Sequence, residues 1–86
     1  MTTLEELELE NIKTELLQNV GKNIQRIREN RGLSQVDLAG KMMGKFDTTN
    51  ISRIESGRNN PTLFTLFRIS EALEVTLPEL LCFDTP

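Results

Sequence analysis

The chain contains no histidine and a single cysteine, Cys82, in 86 residues. These scarcities remove whole classes of chemistry. A zinc finger needs four Cys or His ligands, and a nucleophile activated by an imidazole needs the imidazole. A lone cysteine closes no internal disulfide and suits a reducing compartment, so a cytoplasmic location is expected. No apolar run approaches the ~18 residues that cross a bilayer, and no basic start leads into an apolar stretch in the manner of a secretory signal. Strand-type alternation, internal repeats and low-complexity linkers are absent too. What is left is a one-domain, all-α chain, expected to have no metal, no cofactor, no membrane partner and no enzymatic activity.

Basic excess is also lacking. The formal net charge is −3, which is unpromising for a partner of nucleic acid. The average conceals a segregation. Residues 1–19 carry one lysine against five glutamates, and residues 61–86 one arginine against four acidic groups. Residues 20–60 carry eight Lys or Arg against four Asp or Glu. Local field, more than total charge, governs steering and phosphate contact. The stretch 20–60 is where a polyanion would bind.

Helical periodicity runs through the chain. Thr3 with Glu6 forms a capping box, and Leu4, Leu7, Leu9, Ile12, Leu16 and Leu17 give an acidic amphipathic helix over 1–19. Steps of three or four continue through Val20, Ile24 and Ile27, so this helix either runs on or breaks at Asn19 or Gly21. We read residues 1–19 as an arm packed on one side of the core, in preference to a partner-binding or dimer-forming helix. Its carboxylates would face phosphates if it lay on DNA. A helix over 20–31 turns Val20, Ile24 and Ile27 inward and ends at Gly32. Ser34 with Asp37 opens a helix to about Met43 that buries Leu38, Ala39 and Met42. Gly44 and Lys45 turn the chain, and Phe46 plugs beneath them. Asp47 caps a helix over 47–56 with Ile51 and Ile54 inward, ended by Gly57. Thr62 caps 63–73, with Leu63, Leu66, Ile69 and Leu73 inward and Phe64 and Phe67 to one side. Thr76, Glu79 and Pro78 open a short helix over 77–82. The expected organisation is an arm at 1–19, a helical domain at 20–82 and a tail at 83–86, with five helices counting the N-terminal one.

The first turn of the helix at 47–56 is unusual. Thr48, Thr49, Asn50, Ser52 and Arg53 make it almost wholly hydrogen-bonding. That is a poor start for a core helix and a suitable one for a helix that reads base edges.

The stretch VGKNIQRIRENRGLSQVDLAGKM, with Ile51, Ser52, Arg53, Ile54, Glu55, Ser56, Gly57, Pro61, Leu73, Val75, Thr76 and 77–81, resembles the Xre/Cro-type helix-turn-helix family over about 20–81. Eight residues separate Met42 from Ile51, two more than the family usually has, and we place the extra pair at Met43 to Lys45. The resemblance implies a lambda-repressor-like fold and a DNA-binding transcriptional regulator, more often a repressor than an activator. It would act as a homodimer on an inverted-repeat operator of double-stranded DNA. It implies that 47–56 enters the major groove, with Thr48, Thr49 and Arg53 at base edges. Gln35 resembles the family's phosphate-contacting glutamine, and Asn50, Ser56, Arg58, Asn59 and Thr62 are further phosphate candidates. The longer turn adds Lys45. Arg28 and Glu55 resemble a partly buried ion pair. Dimerisation is expected on the fifth helix through Leu77, Leu80, Leu81 and Phe83, widened by Phe64 and Phe67. The alternative is a protein-interaction module such as an antitoxin. There the acidic helix and the apolar C-terminal patch take a protein partner and DNA binding is secondary.

Overall fold

A computed structural model describes residues 3–83; residues 84–86 of the expected tail lie outside it. All regular structure among the described residues is helical: α1 Leu4–Asn30, α2 Gln35–Lys41, α3 Thr48–Glu55, α4 Leu63–Leu73 and α5 Leu77–Leu80. Each helix begins on a side-chain cap. Thr3, Ser34, Asp47, Thr62 and Thr76 all sit in extended backbone and accept a hydrogen bond from a main-chain N–H in the first turn, which satisfies donors that a helix start otherwise leaves open.

The core gathers Val20, Ile24 and Ile27 of α1 with Leu38, Met42, Ile51, Ile54, Ile69, Leu73 and Leu80. Every later helix thus contributes to one cluster built on the second half of α1. Burial of each such side chain stabilises the fold by roughly 1.5–3 kcal/mol. Asn23, in the same stretch of α1, is buried as well. Its amide donates to the carbonyls of Leu80 at 2.6 Å and Glu79 at 3.3 Å, and its oxygen accepts from Arg26. That clasp answers two carbonyls at the C-terminal end of α5, a helix too short to bond them internally.

α1 is one uninterrupted helix across Asn19 and Gly21. Gly21 does not break it. It is the point where α3 crosses, and a Cβ there would collide with the main-chain oxygens of Ile54 and Glu55. Gly57, at φ 78°, faces Gln18 of α1, whose Cγ would stand 2.8 Å from a Cβ there. α1 and α3 thus meet glycine to backbone at Gly21.

The packing-arm expectation for residues 1–19 is corrected. The first half of α1 stands clear of the domain, with Leu4 74% and Leu9 60% exposed and Leu7, Ile12 and Leu16 also open. The reason is length. Twenty-seven helical residues span roughly 40 Å, and the molecule measures 43 × 24 × 19 Å, so the other helices cover only the distal half. Leu63 also departs from expectation. It lies in the first turn of α4, beyond the core, and is 67% exposed, leaving Ile69 and Leu73 buried and Leu66 half-buried. α2 ends at Lys41, short of Met43, because Met42 turns to extended backbone and drives its side chain into the core. α5 likewise stops at Leu80.

Candidate nucleic-acid interface

α2, the turn 42–47 and α3 form a compact pair whose relative placement is fixed at three points. The first is buried. Arg28 donates from Nε to Glu55 Oε2 at 2.7 Å and from Nη2 to Glu55 Oε1 at 2.9 Å, while its Nη1 donates to the carbonyl of Leu33 at 2.7 Å. Gln35 Nε2 adds a hydrogen bond to Glu55 Oε1 at 3.0 Å. The Arg28–Glu55 pair therefore joins α1, the loop before α2, α2 and α3. The hydrogen bonds that Arg28 donates to Glu55, more than the charge of that carboxylate, push the guanidinium further toward its protonated form. Two-armed Arg–carboxylate geometry is the most directional form of ion pair.

The second point is the capping box of α2. Ser34 N–H donates to Asp37 at 2.8 Å, and Asp37 N–H donates to the Ser34 hydroxyl at 3.0 Å. Hydrogen bonds from the main chain and then the hydroxyl of Ser34 hold the Asp37 carboxyl below the usual carboxylate range. The third point is the turn itself. Arg68 of α4 reaches over to it, donating from Nε at 3.0 Å and Nη2 at 2.6 Å to the carbonyl of Met43. Its guanidinium also lies 5.1 Å from the centroid of the Phe46 ring, within cation–π range.

With the pair so held, the residues expected to read bases fall into place around α3. Asp47 caps it by accepting from Thr49 N–H at 3.0 Å. Thr49 and Arg53 are exposed and Thr48 is half-buried. Thr49 and Arg53 stand four apart and so share a face. Ile51 and Ile54 hold the opposite face to the core. Lys45 is exposed, and with half-buried Asn50 it borders a shallow concavity closed by Ala39, Gly40, Met42 and Phe46.

The remaining phosphate candidates group at the other end of α3. Ser56 donates its hydroxyl to the carbonyl of Arg53 and accepts from Arg58 Nε, each at 3.1 Å. The main-chain N–H groups of Arg58 and Asn59 also close on the carbonyl of Arg53. Thr62 uses its hydroxyl oxygen to cap α4. Gln35 points its amide at Glu55.

The candidate dimer patch divides. Phe64 and Phe67 stack with centroids 6.5 Å apart and are exposed, Phe64 by 68%, as is Leu81. Leu77 and Phe83 are half-buried against the core. Leu80 is corrected: at 0% exposure it belongs wholly to the interior and has no surface to offer a second copy. Asn23 holds the carbonyls of Glu79 and Leu80 and Thr76 caps the start of α5, which seats the helix with Leu80 inward.

Two residues with structural roles at the site escaped the sequence reading, Asn23 and Arg68. Arg68 had a signal. The turn around Gly44 exposes carbonyls that some donor must answer, and Arg68 is the single cation of residues 61–86.

A capped helix with a polar N-terminal end, set across a short helix in a locally basic region, defines the helix-turn-helix class of nucleic-acid-binding domain. Comparison with known proteins agrees. The family model described as "Helix-turn-helix" matches residues 24–80. An HTH-type transcriptional regulator of Sinorhizobium fredii (strain NBRC 101917 / NGR234), y4dJ, is 38% identical over 61 residues, covering 71% of this chain and 77% of that protein. The restriction-modification controller protein C.AhdI from Aeromonas hydrophila superposes with a TM-score of 0.69 at 30% identity, over 74% of this chain and 94% of its own. The controller protein C.Esp1396I, solved as a tetramer in complex with its natural 35 base-pair operator, superposes with a TM-score of 0.65 at 36% identity, over 77% of this chain and 95% of its own. The chain belongs to this helix-turn-helix family of transcriptional regulators.

Proposed function

We propose that this chain binds double-stranded DNA sequence-specifically as a homodimer on an inverted repeat and represses transcription by occupying a promoter. The observation that carries the reading is α3. Half-buried Thr48 and exposed Thr49 stand at its N-terminal end and exposed Arg53 one turn on, while its other face and its C-terminal carboxylate are locked into the body. In this reading Arg53 takes a guanine through O6 and N7, and the threonine methyls meet thymine methyls. Lys45, Asn50, Ser56, Arg58, Asn59 and Thr62 meet phosphates at the two ends of α3, with Gln35 beside them. The operator complex of C.Esp1396I, a protein of this fold at similar length, supports operator binding and self-association. Phe64, Phe67 and Leu81 supply the apolar surface for the second copy, flanked by Leu77 and Phe83. The absence of His and the single Cys support a non-enzymatic, cytoplasmic protein without cofactor.

A second reading attaches to α1 alone. Its exposed Leu9, Ile12 and Leu16, flanked by glutamates, support a protein partner on that arm.

The test is selection from random double-stranded DNA with the whole chain. The expected product is an inverted repeat whose half-sites lie about 34–36 Å apart or a multiple of it, bound by a dimer in sedimentation. Recovery of unselected DNA, or of a lone asymmetric site bound by a monomer, contradicts the reading.

A further inference from the structure

The turn between α2 and α3 runs from Met42 to Asp47, and a long turn ordinarily loosens what it connects. Here it does not hang free. Arg68 spans from α4 to the Met43 carbonyl with two hydrogen bonds, approaches the Lys45 carbonyl at 3.5 Å and stacks on Phe46. The fit is close on the remaining side as well. Gly44 sits at φ 75°, and a Cβ there would stand 3.4 Å from Arg68 Nη2. Phe46 is itself packed against the core. The guanidinium therefore lies between a core-anchored ring and the main chain of the turn.

We propose that Arg68 is a positioning residue for DNA recognition. By clamping Met43 to Phe46 it sets where Lys45 stands and how α3 leaves the turn, and so acts on DNA through Lys45 without touching DNA itself. This deepens the proposed function and rests on it. The chemistry selects arginine. A planar guanidinium can send two N–H groups to one carbonyl while its face lies on an aromatic ring, whereas the ammonium of lysine is a point donor with no such face. An arginine whose donors are turned onto main-chain carbonyls is also poorly placed to offer them to a phosphate.

The measurement is a double-mutant cycle on the selected operator, with affinity followed against salt concentration. The variants are Arg68→Gln, Arg68→Lys, Lys45→Ala and the pair Arg68→Gln with Lys45→Ala, each also melted without DNA. Amide exchange of residues 43–47 in the free protein reads the clamp directly. Arg68→Gln and Arg68→Lys should both speed exchange in the turn and weaken binding by roughly tenfold or less. Both should lower the slope of log affinity against log salt by up to about 1, the share of one phosphate contact. Arg68→Gln should add little once Lys45 is already alanine. Three results overturn the proposal. One is an additive cycle. Another is wild-type binding by Arg68→Lys with loss in Arg68→Gln, which makes the charge itself a phosphate contact. The last is a lowered melting temperature with unchanged affinity and salt slope, which makes Arg68 a residue of stability alone. Arg53→Ala in the same assay separates the two levels: if it binds the operator like wild type, the groove assignment of α3 has failed, while the exchange data still report on the clamp.

Discussion

Gly21 of α1 lies directly against the main-chain carbonyl of Glu55 at the end of α3, with no room between them for a Cβ. By intrinsic preference alone, Gly21→Ala in the middle of a 27-residue helix should stabilise by up to about 1 kcal/mol. The contact reverses the sign. Overpacking against fixed backbone typically costs about 1–3 kcal/mol, so the alanine variant should unfold at lower urea than the parent. A more stable variant would mean that α1 and α3 separate freely.

Arg28 and Glu55 are each buried, and among the described residues no buried side-chain nitrogen or oxygen lacks a hydrogen-bond partner. Removing one partner of such a pair typically costs about 3–5 kcal/mol, a large part of the 5–15 kcal/mol available to a small domain. Arg28→Ala should lower stability in urea melts while the molecules that remain folded keep the parent's ranking of DNA sites. An unchanged melt with lost site preference would assign Arg28 to DNA and not to the fold.

Asp37 gives the fold a pH dependence of definite sign. Its folded-state pKa lies below the unfolded value, so its contribution is fully present above the unfolded value and is lost as pH falls through the folded one. The stability difference between the parent and Asp37→Asn should therefore shrink on acidification through the carboxylate range. A difference constant with pH, read from melts at several pH values, would show that the charge of Asp37 is not what the Ser34 box holds.

Phe64 and Leu80 were both expected in the dimer surface and should now behave oppositely. Phe64→Ser changes an exposed ring, so it should shift sedimentation toward monomer and leave the monomer's fold near intact. Leu80→Ala opens a cavity in the core and should cost about 2–5 kcal/mol. Dimerisation unaffected by Phe64→Ser would move the interface elsewhere.

Much of the fold was legible because it is written in local chemistry. The five caps, the left-handed glycines at 32 and 57 and the 3.6-residue spacing of core side chains each act within a few residues. The matched motif carried the Arg28–Glu55 pair across 27 positions. What escaped depends on geometry that local pattern does not encode. The stripe Leu9, Ile12, Leu16 has the same period as the buried Val20 and Ile27, and period alone does not say where the covering helices stop. Gly21 reads as a weak helix former until α3 is placed on it. Leu80 and Leu81 are adjacent leucines, and the Asn23 clasp decides which faces in. Arg68 answers carbonyls 25 residues away. For the candidate site, Thr49 and Arg53 were legible as one outward face from their spacing, while the clamp on the turn beside them was not.

The central claim is that α3 reads base pairs through Arg53 while the turn holds phosphate through Lys45. The direct measurement is the affinity of parent, Arg53→Ala and Lys45→Ala for the selected operator and each of its single base-pair variants. Arg53→Ala should lose about 1–3 kcal/mol of discrimination at one position in each half-site and keep the rest. Lys45→Ala should weaken all sites alike and reduce the salt slope by about 1. An Arg53→Ala protein that ranks every variant as the parent does would contradict the account.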